Sequence, residues 1–346
     1  MKHKRYAIAA TTAAVVLAGA VVYNISKPKE YVLYFPVVSF NSRTLQSEFA
    51  KHGIRFGFSV SSGSFENPIT RNIIQEHAAV VTTENALKTM FTQPMPGVYD
   101  FGEGDAIVAR ANELGIDVHG HTASWSLQNP AWLIDGAFSY SELEYILSNH
   151  VSTLAKHYDG KLISMDAANE GFLGCGPWCP LGTNNYVHIS FDAARKAHPY
   201  PEPDGPEREP TTPLIYNSIF PNRTEEDKTL SLLDAGTIDG IGIQLHLTST
   251  LDWQAALDRT DAFLARIRKH GGYARFSEVG VWAISDEEQA TVYAAVTALA
   301  VKHQDIVRDV VVWGIKDPSW RGNVTLFDTY GEPKASYYAV MEELRK

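Results

Sequence analysis

Read for the alternation of apolar and polar positions, the chain falls into eight short runs rich in apolar, β-branched and aromatic residues. They are Ile54–Val60, Ala79–Glu84, Ile116–Trp125, Leu162–Asn169, Pro213–Ile219, Gly240–Leu247, Tyr273–Val281 and Val310–Ile315. Runs of this length and composition predict strands. Apolar residues three and four apart predict helices over Asp105–Leu114, Ser141–Lys156, Tyr186–Ala197, Leu251–Lys269 and Ser285–Lys302. Strands alternating with helices predict parallel pairing. Eight such units in about 300 residues fit a closed (β/α)8 (TIM) barrel, an α/β fold, better than an open sheet. A last helix over Ala335–Leu344 would close it. The Pro-rich EPDGPEREPTTP before the fifth run reads as a loop. No internal repeat or second domain stands out.

The N-terminus breaks this pattern. Lys2, Lys4 and Arg5 precede an uncharged, mostly apolar stretch from Tyr6 to Ser26, and Ala18-Gly19-Ala20 offers a small-residue cleavage site. Residues 1–26 therefore read as a signal peptide or an N-terminal membrane anchor, the stretch being nearly as long as the roughly 20 residues that span a bilayer. Both readings predict export: periplasmic, secreted, or anchored to the outer face of the membrane. Residues 27–40 read as a linker and 41–346 as the catalytic domain, expected to be a monomer.

Composition narrows the partners. The formal net charge is −10 and no basic patch stands out, which argues against nucleic acid. Aromatic residues make up 11% of the chain, so some can line a cleft once the core is filled. The two cysteines, Cys175 and Cys179, lie four apart in GCGPWCP. In an oxidising compartment that spacing predicts a disulfide; two thiolates without nearby His or further Cys make a poor zinc site.

The candidate chemistry lies at the run ends. Asn169-Glu170 ends the fourth run, and Glu278 falls towards the end of the seventh. Glu84, His121, Trp125, His246 and Trp313 end others. In such barrels catalytic residues collect at the C-terminal ends of strands. A carboxyl pair there suits glycoside hydrolysis, where one group protonates the leaving oxygen and the other attacks the sugar.

These residues carry a resemblance. VTTENALK resembles the V-T-x-E-N-x-x-K run of the family 10 glycoside hydrolases, the retaining endo-β-1,4-xylanases. GHTASWSLQNPAWL, MDAANE, DGIGIQLHL, FSEVGV, VVVWGIKDPSW and LFDTYGEPKASYYAV resemble that family's later motifs, in the same order. The resemblance implies a β-1,4-linked xylan substrate and no cofactor or metal. It implies Glu170 as acid/base, Glu278 as nucleophile and Asn169 as holder of the sugar 2-hydroxyl. It implies His121, Trp125 and Gln128 around the sugar at the cleavage point, and Glu84, Asn85 and Lys88 in the neighbouring non-reducing-side subsite. Gln244 and His246 would flank the nucleophile, with Trp313 and Trp320 as aromatic walls. The acid is expected to need a raised pKa and the nucleophile a low one.

Four positions depart from the family pattern: Ser126 where a second His is usual, Gly280 where an Asp often pairs with the histidine matching His246, Met165 in place of a Trp, and a final Trp pair one residue closer. The departures at Ser126 and Gly280 keep a weakened, glycan-binding protein as an alternative. Another is a retaining β-glycosidase acting on a different β-glycan. A third is a metal-dependent barrel hydrolase built on His119 and His121 with Glu170, His246 and Asp317.

Overall fold

The computed structural model describes residues 43–197, 212–220, 222–283 and 285–346. The expected leader, the linker and most of the Pro-rich loop lie outside them. Arg43–Lys346 make one compact unit, built on eight strands. These are β1 (Arg55–Val60), β2 (Val80–Thr83), β3 (Asp117–Gly120), β4 (Ser164–Asn169), β5 (Leu214–Ser218), β6 (Gly240–Thr248), β7 (Tyr273–Trp282) and β8 (Val307–Val312). Each pairs in parallel with the next, and β8 pairs with β1, closing the expected (β/α)8 barrel. The strands are buried almost throughout, as a parallel sheet wrapped by helices requires.

Helices run over Gly102–Glu113, Tyr140–His157, Thr183–Ala197, Trp253–Lys269, Asp286–Lys302 and Ala335–Glu343, within a few residues of the expected bounds. Polar residues start several of them. Ser139 and Glu142 form a reciprocal capping box, and Ser285 and Asp252 accept from first-turn amides. Helices over Leu45–Ala50, Pro68–His77 and Arg223–Asp234 were not singled out by the apolar spacing. Among the described residues no helix is long and apolar enough to cross a membrane.

Two strands differ from expectation. β3 ends at Gly120 rather than Trp125, because Thr122 and Ser124 hydroxyls take the carbonyls of Asp166 and Ala167 at 3.0 and 2.9 Å. Side-chain bonds of this kind interrupt the regular ladder, while backbone bonds from Ala123 N–H to Asp166 and from Asn169 N–H to Ser124, each 2.9 Å, keep residues 121–125 against β4. β8 lies three residues early and stops before Gly314, whose φ of 120° turns the chain out of the sheet.

The barrel is polarised along its axis. At the N-terminal ends of the strands, buried Asp309 accepts from Arg275 and, at 2.6 Å, from Arg55, which also reaches Asp117. Burial pushes the Asp309 carboxyl upward, but the two guanidinium groups outweigh it and hold it below the usual range. The opposite end carries the cleft. Both strands leading to it are bulged: Ala167 is an extra residue in β4 against β5, and Ser277 in β7 against β6. Bulges re-aim the side chains that follow them, and here Glu170 and Glu278 follow.

Candidate active site

Glu278 is almost fully buried near the end of β7, only 6% exposed. Asn217 at the end of β5 donates Nδ2–H to Oε1 at 2.8 Å, and His246 Nε2 lies 3.2 Å from Oε2. Burial favours the neutral acid, but His246, His121 and the Asn217 bond outweigh it and hold the carboxyl below its ordinary value. A carboxylate only accepts, so His246 carries a proton on Nε2. Its Nδ1 is buried with no hydrogen-bond partner among the described residues. β6 and β7 pair with His246 opposite Gly280, which brings no carboxylate to that nitrogen.

Glu170 follows the last residue of β4 with a left-handed backbone, φ 52°, and its N–H donates to the Asn217 carbonyl at 2.8 Å. Its carboxyl is half-buried. Trp125 Nε1–H reaches Oε2 at 3.1 Å and Gln244 Nε2–H reaches Oε1 at 2.9 Å. Gln244 and His246 are two apart on β6 and so share a face. Asn169 Oδ1 accepts from both Gln244 and Asn217, each at 3.1 Å. One hydrogen-bonded chain, Glu170–Gln244–Asn169–Asn217–Glu278, therefore joins the two carboxyl groups.

A second polar cluster lies to one side. Lys88 donates to Asn85 at 2.9 Å and Gln128 at 2.6 Å, Gln128 donates to Asn85 at 3.1 Å, and the Lys88 ammonium sits 4.9 Å from the centre of the Trp125 ring. Burial lowers the Lys88 pKa, against the pull of Glu278, Glu84 and Glu170. Burial likewise raises Glu84, against Lys88, His121 and Asn85. His121 Nδ1 lies 2.8 Å from Asp166, and its ring packs edge-on against buried Trp313 at 5.3 Å. Trp320 closes the other wall, 45% exposed.

Every side chain that the sequence marked for the cleft lines one cavity of about 780 Å³. Asn217, which touches both the nucleophile candidate and Asn169, shows in the sequence only as part of a strand. Its place at a strand end, level with the other polar run ends, was the available signal. Arg321 was also missed. It lines the cavity with its guanidinium over Trp320 at 4.3 Å.

Cys175 and Cys179 are disulfide-bonded, as their spacing predicted. Between them Trp178 is fully buried and donates Nε1–H to the Trp125 carbonyl at 3.0 Å. Gly176 comes so close to Ser126 that a Cβ there would lie 2.0 Å from the Ser126 carbonyl oxygen. The departure at Ser126 thus sits under the disulfide loop, which braces the segment bearing Trp125.

The ligand set of the metal-dependent alternative does not converge. Among the described residues no group of three or more His, Cys, Asp or Glu side chains could hold a metal. His119 bonds Ser164 at 2.7 Å, and its burial, with Arg275 nearby, lowers its pKa to about 4. Asp317 is occupied by the amides of Val324 and Thr325 and by Lys334.

Comparison with known proteins agrees with this geometry. A β-1,4-xylanase of Dictyoglomus thermophilum is 28% identical over 309 residues, covering 78% of this chain and 83% of the relative. Endo-1,4-beta-xylanase 2 of Claviceps purpurea is 28% identical over 318 residues, covering 87% and 91%. The crystal structure of xylanase 10B from Thermotoga petrophila RKU-1 in complex with xylobiose superposes with a TM-score of 0.77 at 24% identity, over 88% of this chain and 97% of that one, and so shares the fold. The family model for glycosyl hydrolase family 10 matches residues 44–343, nearly all of the described chain, and this protein, with its closed barrel and carboxyl pair, belongs to that family.

Proposed function

We propose that the protein is a retaining endo-β-1,4-xylanase, with Glu278 as nucleophile and Glu170 as acid/base. The observation that carries the reading is the difference between the two carboxyl groups of one cleft. Glu278 is buried and held ionised by His246, His121 and Asn217, while Glu170 is half-buried beside neutral donors. In the first step Glu278 attacks the anomeric carbon, and the bond to the leaving oxygen breaks as that oxygen takes the Glu170 proton. In the second, Glu170 takes a proton from water, the hydroxyl adds to the anomeric carbon, and Glu278 leaves. Asn169 Oδ1 is taken twice over by Gln244 and Asn217, which leaves its amide hydrogens for the sugar 2-hydroxyl, a bond that strengthens in the oxocarbenium-like transition state. Lys88, Asn85, Glu84 and Gln128 would grip the non-reducing side, and Trp313 and Trp320 offer faces to pyranose rings.

Export belongs to the same reading: the basic, apolar N-terminus and the Cys175–Cys179 disulfide both suit an oxidising compartment. A monomer, released or held by residues 6–26, is expected. Cell fractionation and N-terminal sequencing of the mature protein distinguish the two.

The test of the reaction is NMR of the products released from xylan. The expected result is fresh β-anomer with wild type and none with Glu278→Ala. Fresh α-anomer would overturn retention. Inert xylan beside a hydrolysed glucan or mannan would move the substrate.

A further inference from the structure

His246 is held in an unusual way. Its ring makes one hydrogen bond, Nε2 to Glu278 at 3.2 Å, while the buried Nδ1 makes none among the described residues. Buried ring nitrogens ordinarily have partners, and one hydrogen bond leaves the ring free to tilt about it. Packing supplies the rest. Trp282 and Trp320 stand edge-on to the imidazole, with ring centres at 5.8 and 5.4 Å, and edge-on to each other at 5.7 Å. Aromatic rings favour such edge-to-face contacts. Trp282 is itself anchored: its Nε1–H donates to the Arg321 carbonyl at 2.8 Å, and the Arg321 guanidinium lies 5.3 Å from its ring centre.

Gly280 makes the arrangement possible. A Cβ at that position would lie 3.3 Å from Cη2 and Cζ3 of Trp282 and 3.7 Å from His246 Nδ1. The tip of the indole therefore covers the space that a side chain at 280 would fill, next to the unpartnered nitrogen.

We propose that Trp282 is a positioning residue for the reaction: lying over Gly280, it takes the place of a hydrogen-bonding partner on Nδ1 and fixes the His246 ring so that Nε2–H meets Glu278. Trp282 does not itself line the cleft, so it touches no sugar; it also packs against Trp320 and Arg321, which do, and the His246 background separates that route from the one through the imidazole. This rests on Glu278 as the nucleophile.

The test is a double-mutant cycle on the full chain with xylotetraose. Trp282→Ala is expected to lower kcat about tenfold, with KM changed less than about twofold, as for a misplaced group that touches no substrate. Trp282→Phe restores most of the loss. In a His246→Ala background, Trp282→Ala removes nothing further. A kcat within about twofold of wild type, or the same loss with and without His246, overturns the proposal. The 15N spectrum of His246 supplies a readout independent of turnover. A single protected Nε2–H signal that broadens in Trp282→Ala supports the proposal, and an unchanged signal overturns it. Failure of the nucleophile assignment shows separately, as activity surviving in Glu278→Ala.

Discussion

The two carboxyl groups of the cleft are carried by β4 and β7, Glu170 just past the end of its strand and Glu278 within its own, each shortly beyond a bulge, yet they live differently. Glu278 is walled in by donors from β5 and β6 and by the histidine and indole packing behind them. Glu170 stands half-open at the rim and takes its bonds from Trp125, on a loop braced by a disulfide, and from Gln244. On the roles proposed for them, the difference teaches how one fold could give two identical side chains different tasks. A charge that must persist is buried among fixed donors. A group that must gain and lose a proton keeps access to water and neutral neighbours.

The sharpest way to break this comparison is to delete each carboxyl in turn. Glu278→Ala is expected to cost about 10⁵-fold in kcat on every substrate, since no bond forms without the nucleophile. Glu170→Ala, read in kcat/KM, which reports the first step alone, should cost far less on an aryl xylobioside with an activated leaving group that needs no proton than on xylan. Equal losses on both substrates would erase the distinction between the two sites. Next comes the donor that the nucleophile shares with Asn169. Asn217→Ala should lower kcat about 10²-fold, the scale of losing one fixed donor to developing charge, and steady-state kinetics on xylotetraose will read it.

The bracing loop should act on the other carboxyl alone. Trp178→Ala, or Cys175→Ser with Cys179→Ser, is expected to lower kcat on xylan about tenfold through Trp125 and Glu170. The acid limb of the kcat/KM profile, which reports Glu278 on the proposed assignment, should stay in place; a displaced limb would join the two regions. The smallest effect is on pH. His246 favours the ionised form of Glu278, so His246→Ala should raise the pKa of the proposed nucleophile and move the acid limb to higher pH. A limb that moved down would reverse the assigned sign.

Much of this was legible in the chain, and the rest was hidden for physical reasons. The strands showed because a parallel barrel buries both faces, which writes long apolar runs. The glutamates showed because polar residues at run ends interrupt that pattern. The bulges at Ala167 and Ser277 were not legible, since an extra residue in a buried strand leaves the composition unchanged. The early end of β3 was not legible either: Thr122 and Ser124 fit a strand by propensity and betray themselves only by the carbonyls their hydroxyls take. Gly280 marked a missing partner beside His246, but nothing in the spacing said that Trp282 would cover the gap.

The left-handed backbone at Glu170 bears on how such a site endures. Glycine or asparagine would occupy φ 52° more comfortably than a glutamate does, by about 1 kcal/mol. A chain with no further use for an acid at this place could drift to either residue and become sturdier for it. Glu170→Gly should accordingly melt at a higher temperature than wild type while releasing no sugar from xylan. With Glu170 as the proposed acid/base, the torsion sets resilience against chemistry at a single residue.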